Sequence, residues 1–203
     1  MRLEKLEVLT EDKLLLRWED GSTLRCGMQE MLDFRLRSGM ELTEEEEERL
    51  REACAYWEVR QKAAALAAGR AMSAGELRRK LREKGAPPEL AERAADRLLE
   101  LGVLDEGAYA AMVARHYAAK GYGRMRVEQE LRRRELPREV WADALAELPD
   151  SRETLDALVR KRLGDSPGDE DSRRKLAGSL LRRGYGWEEI RAAIERAAGD
   201  FED

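Results

Sequence analysis

The sequence predicts a mainly α-helical protein, built from tandem three-helix repeats in an elongated, curved array and preceded by a small N-terminal β-hairpin or three-stranded portion. Two apolar residues four positions apart, followed by a basic end, recur about every 50 residues. Charged residues make up 40% of the chain and aromatic residues 5%, which suits thin helical layers with one apolar stripe each. Alternation of apolar and polar residues near the N-terminus has the period of β-strands.

Strand signals lie within residues 1–26. Apolar and polar residues alternate in residues 3–9 and 13–18, as expected of strands with one buried face. Asp20 and Gly21 form a favoured two-residue hairpin turn, and residues 23–26 follow as the return strand. Three strands of this length need cover from another element to be stable.

The segment after the strands predicts two helices. We expect a short helix over residues 28–36, because glycine follows it closely. Thr43 and Glu46 have the spacing of a capping box that opens the next helix. We interpret the glutamates at residues 44–48 as a solvated helix start, where negative charge suits the positive end of the helix dipole. An acidic docking surface is the alternative.

Three middle helices define the repeats. Each carries two apolar residues four positions apart, then basic residues, a short break and another amphipathic helix. We therefore divide the chain into an N-terminal β portion with a helical connector, residues 1–55, and three-helix repeats at residues 56–103, 104–149 and 150–203. The apolar pairs are Leu77 and Leu81, Val127 and Leu131, and Leu176 and Leu180.

The central repeat is the clearest of the three. Two helices flank a break at residues 120–123, where Gly121 and Gly123 can both take positive φ and end the first helix sharply. The second helix is rich in arginine, and its apolar stripe is narrow. The apolar face of the first helix is predicted to hold Tyr109, Met112, Val113, His116 and Tyr117.

The other repeats carry start and stop signals of their own. Ser73 with Glu76 is a capping box in the first repeat, and Asp150 with Glu153 opens the third. Residues 164–169 are predicted to form a longer loop, and residues 199–203 a frayed end. The apolar stripe of the last helix is predicted to contain Trp187, Ile190, Ile194 and Ala197.

Motifs in these repeats are similar, in order and spacing, to those of the RecX family, bacterial regulators of the RecA recombinase. The resemblance covers roughly residues 56–198. It implies a protein that lies in the helical groove of a RecA filament on single-stranded DNA and modulates, usually negatively, recombination, DNA repair and SOS-related activities. The motifs are SAGELRRKL at residues 73–81, GVLDE at 102–106, KGYG at 120–123, RKLA at 174–177 and LRRGY at 181–185.

Signatures of catalysis and metal binding are missing from the pattern. His116 is the only histidine, and we interpret it as a partly buried packing residue rather than a ligand. Cys26 and Cys54 have no Cys-x-x-Cys spacing. The break at residues 120–123 lacks the Gly-Lys-Ser/Thr of a phosphate loop. We expect no enzyme activity and no cofactor, in a soluble, cytoplasmic, monomeric protein without membrane contact.

Arginine is the remaining candidate for function, since 30 of the 38 basic residues are Arg and Arg pairs with both carboxylate and phosphate. Solubility and intramolecular ion pairs are the alternative explanation. Helical spacing predicts that Arg126 and Arg133 project away from the apolar pair, so that reversing both charges should leave the fold intact while weakening inhibition of RecA. The predicted partner-binding set is Lys80, Lys84, Arg124, Arg126, Arg132, Arg133, Lys175, Arg182 and Arg183.

A second functional hypothesis stays open. Three-helix units with Arg-rich helices also resemble helix-turn-helix modules, which predicts a protein that binds single- or double-stranded DNA without RecA. The net charge of −5 gives no global attraction to nucleic acid. Steep salt dependence of binding in the absence of RecA would favour this second hypothesis.

Overall fold

The computed structural model describes residues 1–163 and 169–199. It confirms a mainly helical chain with a small antiparallel sheet near the N-terminus. The chain forms two compact units. The first comprises residues 1–71 and 77–103, and the second comprises residues 72–76 and the residues from 104 onward.

The sheet has the strand order β1-β2-β3, with β1 at Leu3–Thr10, β2 at Lys13–Trp18 and β3 at Thr23–Gly27. Both pairings are antiparallel. The hairpin falls where it was predicted, but its turn is not the two-residue Asp20-Gly21 turn. The Gly21 N–H donates to the Trp18 carbonyl at 2.9 Å, Gly21 takes φ +83°, and β3 begins only at Thr23. One face of the sheet is buried with the helices of the first unit, but the outer end of β1 is exposed at Val8.

The helix predicted over residues 28–36 is shorter than expected, because α1 spans Met28–Asp33. Arg35 takes a left-handed backbone conformation, φ +48°. This allows the Leu36 N–H to donate to the Met31 carbonyl at 3.0 Å, which closes the helix end. Buried Leu36 then anchors the chain after the helix.

Helix α2 runs without interruption over Glu44–Gly69, 26 residues. The predicted capping box is confirmed, since Thr43 and Glu46 exchange hydrogen bonds at the helix start. The predicted boundary after residue 55 therefore falls inside this helix. Helices α3, Ala74–Glu83, and α4, Pro88–Glu100, follow.

In the second unit, the central repeat consists of α5, Glu106–Ala119, α6, Arg124–Arg133, a 3-10 turn, Arg138–Val140, and α7, Trp141–Ala146. Two residues of the predicted apolar face of α5 are placed wrongly by the sequence, since Met112 and His116 are both exposed. Both residues lie beside the buried face of α5, which is narrow because three of its five buried residues are alanines. The core of this repeat contains Tyr109, Val113, Val127, Leu131, Leu136, Trp141 and Leu145.

The third repeat consists of α8, Ser151–Leu163, α9, Glu170–Arg182, and α10, Trp187–Gly199. Helix α8 begins where it was predicted to begin, after Asp150. The Asp150 carboxylate accepts a hydrogen bond from the Arg152 N–H at 2.9 Å. The predicted loop, except for Asp169, and the predicted frayed end, except for Gly199, lie outside the described residues. No helix in the described ranges is both long and apolar enough to cross a membrane.

Candidate interaction surface of the middle helices

The middle helices α3, α6 and α9 share one pattern from their buried pairs to their ends. The second residue of each pair, Leu81, Leu131 or Leu180, is followed four positions later by a residue with positive φ. That position closes a helix and favours glycine. The positive-φ residues are Gly85 at +83°, Glu135 at +54° and Gly184 at +86°. The three helices can therefore be aligned residue by residue.

Consecutive repeats are in contact through these helices. The start of one middle helix lies against the end of the middle helix in the following repeat. Ser73, just before α3, donates a hydrogen bond to the carbonyl of Arg134, the C-terminal cap of α6. Gly123, just before α6, donates its N–H to the carbonyl of Arg183, the C-terminal cap of α9, at 2.9 Å. The same junction is thus built twice, about 50 residues apart in each partner.

Glycine is required at the second junction for a reason other than the predicted one. Gly121 has the expected positive φ of +72°, but Gly123 has φ −79°. A Cβ on Gly123 would overlap the backbone of Gly184. Close approach of two chain segments, and not a left-handed turn, is what excludes a side chain at Gly123.

Two tyrosines bind across the junctions. The Tyr109 hydroxyl donates to Glu76 Oε2 at 3.1 Å and accepts from Arg134 Nη1 at 2.7 Å. The Tyr185 hydroxyl donates to the Gly121 carbonyl at 3.2 Å. Burial raises the pKa of both hydroxyls, and the nearby carboxylate of Glu76 raises that of Tyr109 further. Both therefore stay protonated donors at neutral pH.

One member of the predicted partner-binding set is part of the second junction. Arg183 Nη1 lies 3.2 Å from the Gly121 carbonyl and 3.3 Å from that of Lys120. Its guanidinium also lies 5.6 Å from the centre of the Tyr122 ring, and that of Arg126 lies 5.9 Å from the same ring. The structure brings Arg126 and Arg183 together around Tyr122, and both are half-buried.

Arg126 and Arg133 also meet at a buried carboxylate that sequence reasoning missed. Glu130 is 3% exposed and accepts from Arg126 Nη2 at 3.0 Å and from Arg133 Nε at 2.8 Å. Burial opposes its ionisation, but hydrogen bonds from Arg133 and Tyr117 and the charges of both arginines hold the pKa of Glu130 below its usual range. The sequence did contain a sign of this cluster, because Glu130 follows Arg126 by four residues and precedes Arg133 by three, the spacings at which helical side chains meet.

The structure therefore contradicts the premise on which reversing Arg126 and Arg133 was expected to leave the fold intact. It treated both side chains as exposed and independent. In the structure, the double reversal would place two further carboxylates beside a buried one, so a loss of function could not be separated from a loss of stability.

The other predicted cations divide into paired and unpaired groups. Arg124 pairs with Glu128 at 3.1 Å, and Lys175 pairs with Asp171 at 2.7 Å, each within its own helix. Among the described residues, no ion pair involves Lys80, Lys84, Arg132 or Arg182. Lys80 is half-buried, and the other three are exposed.

The histidine and the two cysteines lie in different surroundings in the part of the chain that the structure describes. It contains no group of three or more His, Cys, Asp or Glu side chains that could hold a metal ion. Cys26 and Cys54 are both buried free thiols in the core beneath the sheet. Exposed His116 makes an edge-on ring contact with Tyr117, with the ring centres 5.5 Å apart.

The sequence matches three family descriptions in order. These are the first three-helix domain of RecX at residues 60–98, the second at residues 105–145 and the third at residues 150–194. The chain is also 40% identical over 135 residues to the regulatory protein RecX of Xanthomonas axonopodis pv. citri, covering 66% of this chain and 83% of the relative. It belongs to the RecX family.

Other RecX proteins extend the comparison. The regulatory protein RecX of Pseudomonas fluorescens is 42% identical over 134 residues, covering 65% of this chain and 86% of the relative. The crystal structure of a regulatory protein RecX superposes with a TM-score of 0.78 at 18% identity, covering 96% of this chain and 98% of the other. RecX from Lactobacillus salivarius superposes with a TM-score of 0.63, also at 18% identity, over 70% and 96%.

The three middle helices fall one into each RecX domain. Lys84, Arg132 and Arg182 are the exposed, unpaired members of the predicted set within the described residues, and each lies at the end of one middle helix. Every RecX domain of this chain therefore presents at least one exposed cation near the end of its middle helix that forms no ion pair with a described residue. The three cations occupy different positions in the aligned helices.

Proposed function

We propose that this RecX-family chain binds RecA filaments and inhibits recombination, DNA repair and SOS-related activities. The observation that supports the proposal most directly is that each of three consecutive RecX domains has an exposed cation near the end of its middle helix with no ion pair among the described residues: Lys84, Arg132 and Arg182. A filament repeats its own surface, and a chain of repeated domains matches such a partner better than a small ligand.

The chemistry of the three cations suits a nucleoprotein filament. RecA subunits offer carboxylates, and the enclosed single-stranded DNA offers phosphates; arginine and lysine pair with both. Because these side chains have no partner among the described residues, binding does not require an existing ion pair to be broken. The protein as a whole is acidic, with a net charge of −5, so attraction to the filament has to be local.

The location of RecA filaments determines where this protein would act and in what form. RecA filaments form on DNA inside the cell, so the chain acts in the cytoplasm as a monomer that contacts several RecA subunits. Its role is regulatory and needs neither a cofactor nor a catalytic residue. Its relatives are likewise named regulatory proteins.

The test reverses the three available charges together, as Lys84→Glu, Arg132→Glu and Arg182→Glu, and measures inhibition of RecA ATP hydrolysis and strand exchange. Exposed substitutions of this kind change stability by about 0.5 kcal/mol or less each. We expect the concentration for half-inhibition to rise at least about tenfold, since charged contacts control the association rate and its salt dependence.

A matched variant controls for net charge. Arg25, Arg37 and Lys62 are exposed and lie in no ion pair among the described residues, and they are outside the middle helices. Reversing these three changes the net charge by the same amount and should leave inhibition unchanged. Equal loss in both variants would argue against a role for the middle helices, and loss of binding to bare DNA alone would favour the DNA-binding hypothesis.

A further inference from the structure

An exposed apolar groove lies between α9 and α10 of the third repeat. Leu181 is 45% exposed and Trp187 is 55% exposed. The groove has a volume of about 690 Å³, with Ala177, Gly178 and Ile194 also in its lining. The sequence predicted Trp187 as part of the inward stripe of α10, and the structure places it in solvent. Large apolar side chains that lie together on a surface mark interaction sites.

Alignment with the other repeats shows that the fold does not need these residues. The buried pairs and the positive-φ residues fix the register of the three middle helices. In this register, the other two repeats have a long polar side chain or a proline at the positions of Gly178, Leu181 and Trp187. The aligned residues are Arg79, Arg82 and Pro88 in the first repeat, and Gln129, Arg132 and Arg138 in the second. At these three aligned positions, only the third repeat has a glycine, which leaves space between the helices, together with two large apolar side chains.

Two available cations border this groove. Arg174 lines it, and neither Arg174 nor Arg182 forms an ion pair with any residue that the structure describes. The Arg182 guanidinium folds back over α9, where its Nη1 would lie 3.6 Å from a Cβ on Gly178. On the opposite wall, Arg191 is already paired with Glu188 at 2.8 Å. Glu170 also lines the groove and lies in no ion pair among the described residues. The two unpaired arginines outnumber this one unpaired carboxylate, so the net available charge at the groove is positive.

We propose that the α9–α10 groove is a docking site for an acidic amphipathic helix of a partner protein. Apolar side chains of that helix pack on Leu181 and Trp187, and its carboxylates pair with Arg174 and Arg182. A helix laid in an apolar groove is a common mode of peptide recognition, and Trp and Arg are the residues that most often dominate such contacts. The inference concerns this groove alone and does not depend on RecA as the partner.

Intrinsic fluorescence offers a selective probe, because Trp187 is exposed while Trp18, Trp57 and Trp141 are at most 8% exposed. The ligand is a synthetic helical peptide of roughly four turns that lacks Trp and Tyr, with Leu along one face at helical spacing and Glu elsewhere. We expect a blue shift of the emission and protection of Trp187 from acrylamide. Added salt should weaken the binding. A peptide with the same Leu positions and Lys in place of Glu should bind at least about tenfold more weakly.

A double variant, Leu181→Arg with Trp187→Arg, tests the apolar contacts by anisotropy of a labelled peptide. Arginine occupies both aligned positions in the second repeat, so the helices accept it, and circular dichroism checks the fold. The new charges attract the acidic peptide, yet we expect its affinity to fall at least about tenfold because the apolar anchors are gone. The control is Met112→Arg, on the exposed side of α5, which should bind the peptide as the unmodified protein does.

Results of three kinds would overturn the proposal. The first is equal affinity for the acidic and the basic peptide, or unchanged affinity in the double variant. The second is a concentration-dependent dimer that the double variant dissolves, since a second copy of the chain would then occupy the groove. The third is quenching of Trp187 by a single-stranded oligonucleotide with no response to the acidic peptide, which would make the groove a nucleic-acid site.

Discussion

Gly123 at the start of α6 lies so close to the backbone of Gly184 at the end of α9 that it has no room for a Cβ, and a Cβ on Gly184 would in turn overlap Arg126 of α6. The contact joins the second RecX domain to the third, and a hydrogen bond from the Met125 N–H to the Gly184 carbonyl at 3.1 Å closes it. Two backbones that meet without side chains fix the spacing of the two middle helices. The junction is therefore sensitive to the smallest possible enlargement.

Gly123→Ala should destabilise the protein by about 2 kcal/mol, because the added methyl group forces the two backbones apart. Urea unfolding followed by circular dichroism measures the effect. Gly107→Ala is the matched control, since a Cβ there would meet only the Asp105 side chain at 3.5 Å. Alanine within α5 should stabilise the helix by up to about 1 kcal/mol. A neutral Gly123→Ala substitution would mean that the junction is looser than described.

Leu131→Ala should destabilise the protein by roughly 2–4 kcal/mol, because Leu131 is fully buried in the core of the central repeat. Met125→Ala is the control on the same helix, since Met125 is exposed, and it should change the unfolding free energy by about 0.5 kcal/mol or less. Similar losses for the two substitutions would show that α6 is rotated relative to the core.

Glu130→Gln should destabilise the protein by about 1–3 kcal/mol at neutral pH, because it removes the charge that Arg126 and Arg133 share. The effect should depend on pH. The folded-state pKa of Glu130 lies below its usual value of 4.5, so the ionised carboxylate stabilises the fold above that value. This contribution is lost as the pH falls from about 4.5 through the lower folded-state pKa.

The measurement compares unfolding free energies of the unmodified protein and Glu130→Gln between neutral and acidic pH. Other carboxylates titrate in both proteins, so their contributions cancel in the difference. The difference should narrow as the pH falls below 4.5. A difference that widens in acid would mean that Glu130 is protonated in the folded protein.

Arg126→Glu with Arg133→Glu should destabilise the protein by about 2 kcal/mol or more, since a buried carboxylate loses both partners and gains two like charges nearby. Arg132→Glu reverses a neighbouring exposed charge with no ion pair among the described residues and should have little effect on stability. Thermal unfolding distinguishes them, and equal melting temperatures would argue against the Glu130 cluster.

Periodicity predicted the parts of the fold that depend on burial. The pairs from Leu77 to Leu180 are buried as their four-residue spacing indicated, and the Thr43 capping box is formed as its local pattern indicated. The end of α1 was missed because Arg35 supplies a positive φ without glycine. The predicted boundary after residue 55 falls inside α2, because helical periodicity does not show where the N-terminal portion ends and the first repeat begins.

The candidate surface was harder to predict than the fold. Periodicity gives the direction of a side chain but not its partner, so it grouped Arg132, which has no described ion pair, with Arg126, which is bound to Glu130. The role of Arg183 depends on a carbonyl 62 residues away in the sequence. Such contacts arise from the packing of consecutive repeats and leave no local trace.

The most direct test of the RecA proposal is co-sedimentation of the unmodified protein with RecA filaments formed on single-stranded DNA with a non-hydrolysable nucleotide. Parallel samples contain the DNA alone and RecA alone. The proposal predicts that the protein sediments with the filaments at a stoichiometry below one per RecA subunit, that binding weakens as salt is raised, and that the Lys84, Arg132 and Arg182 reversals reduce it. Sedimentation with DNA to the same extent whether or not RecA is present, or no sedimentation with filaments at low salt, would contradict it.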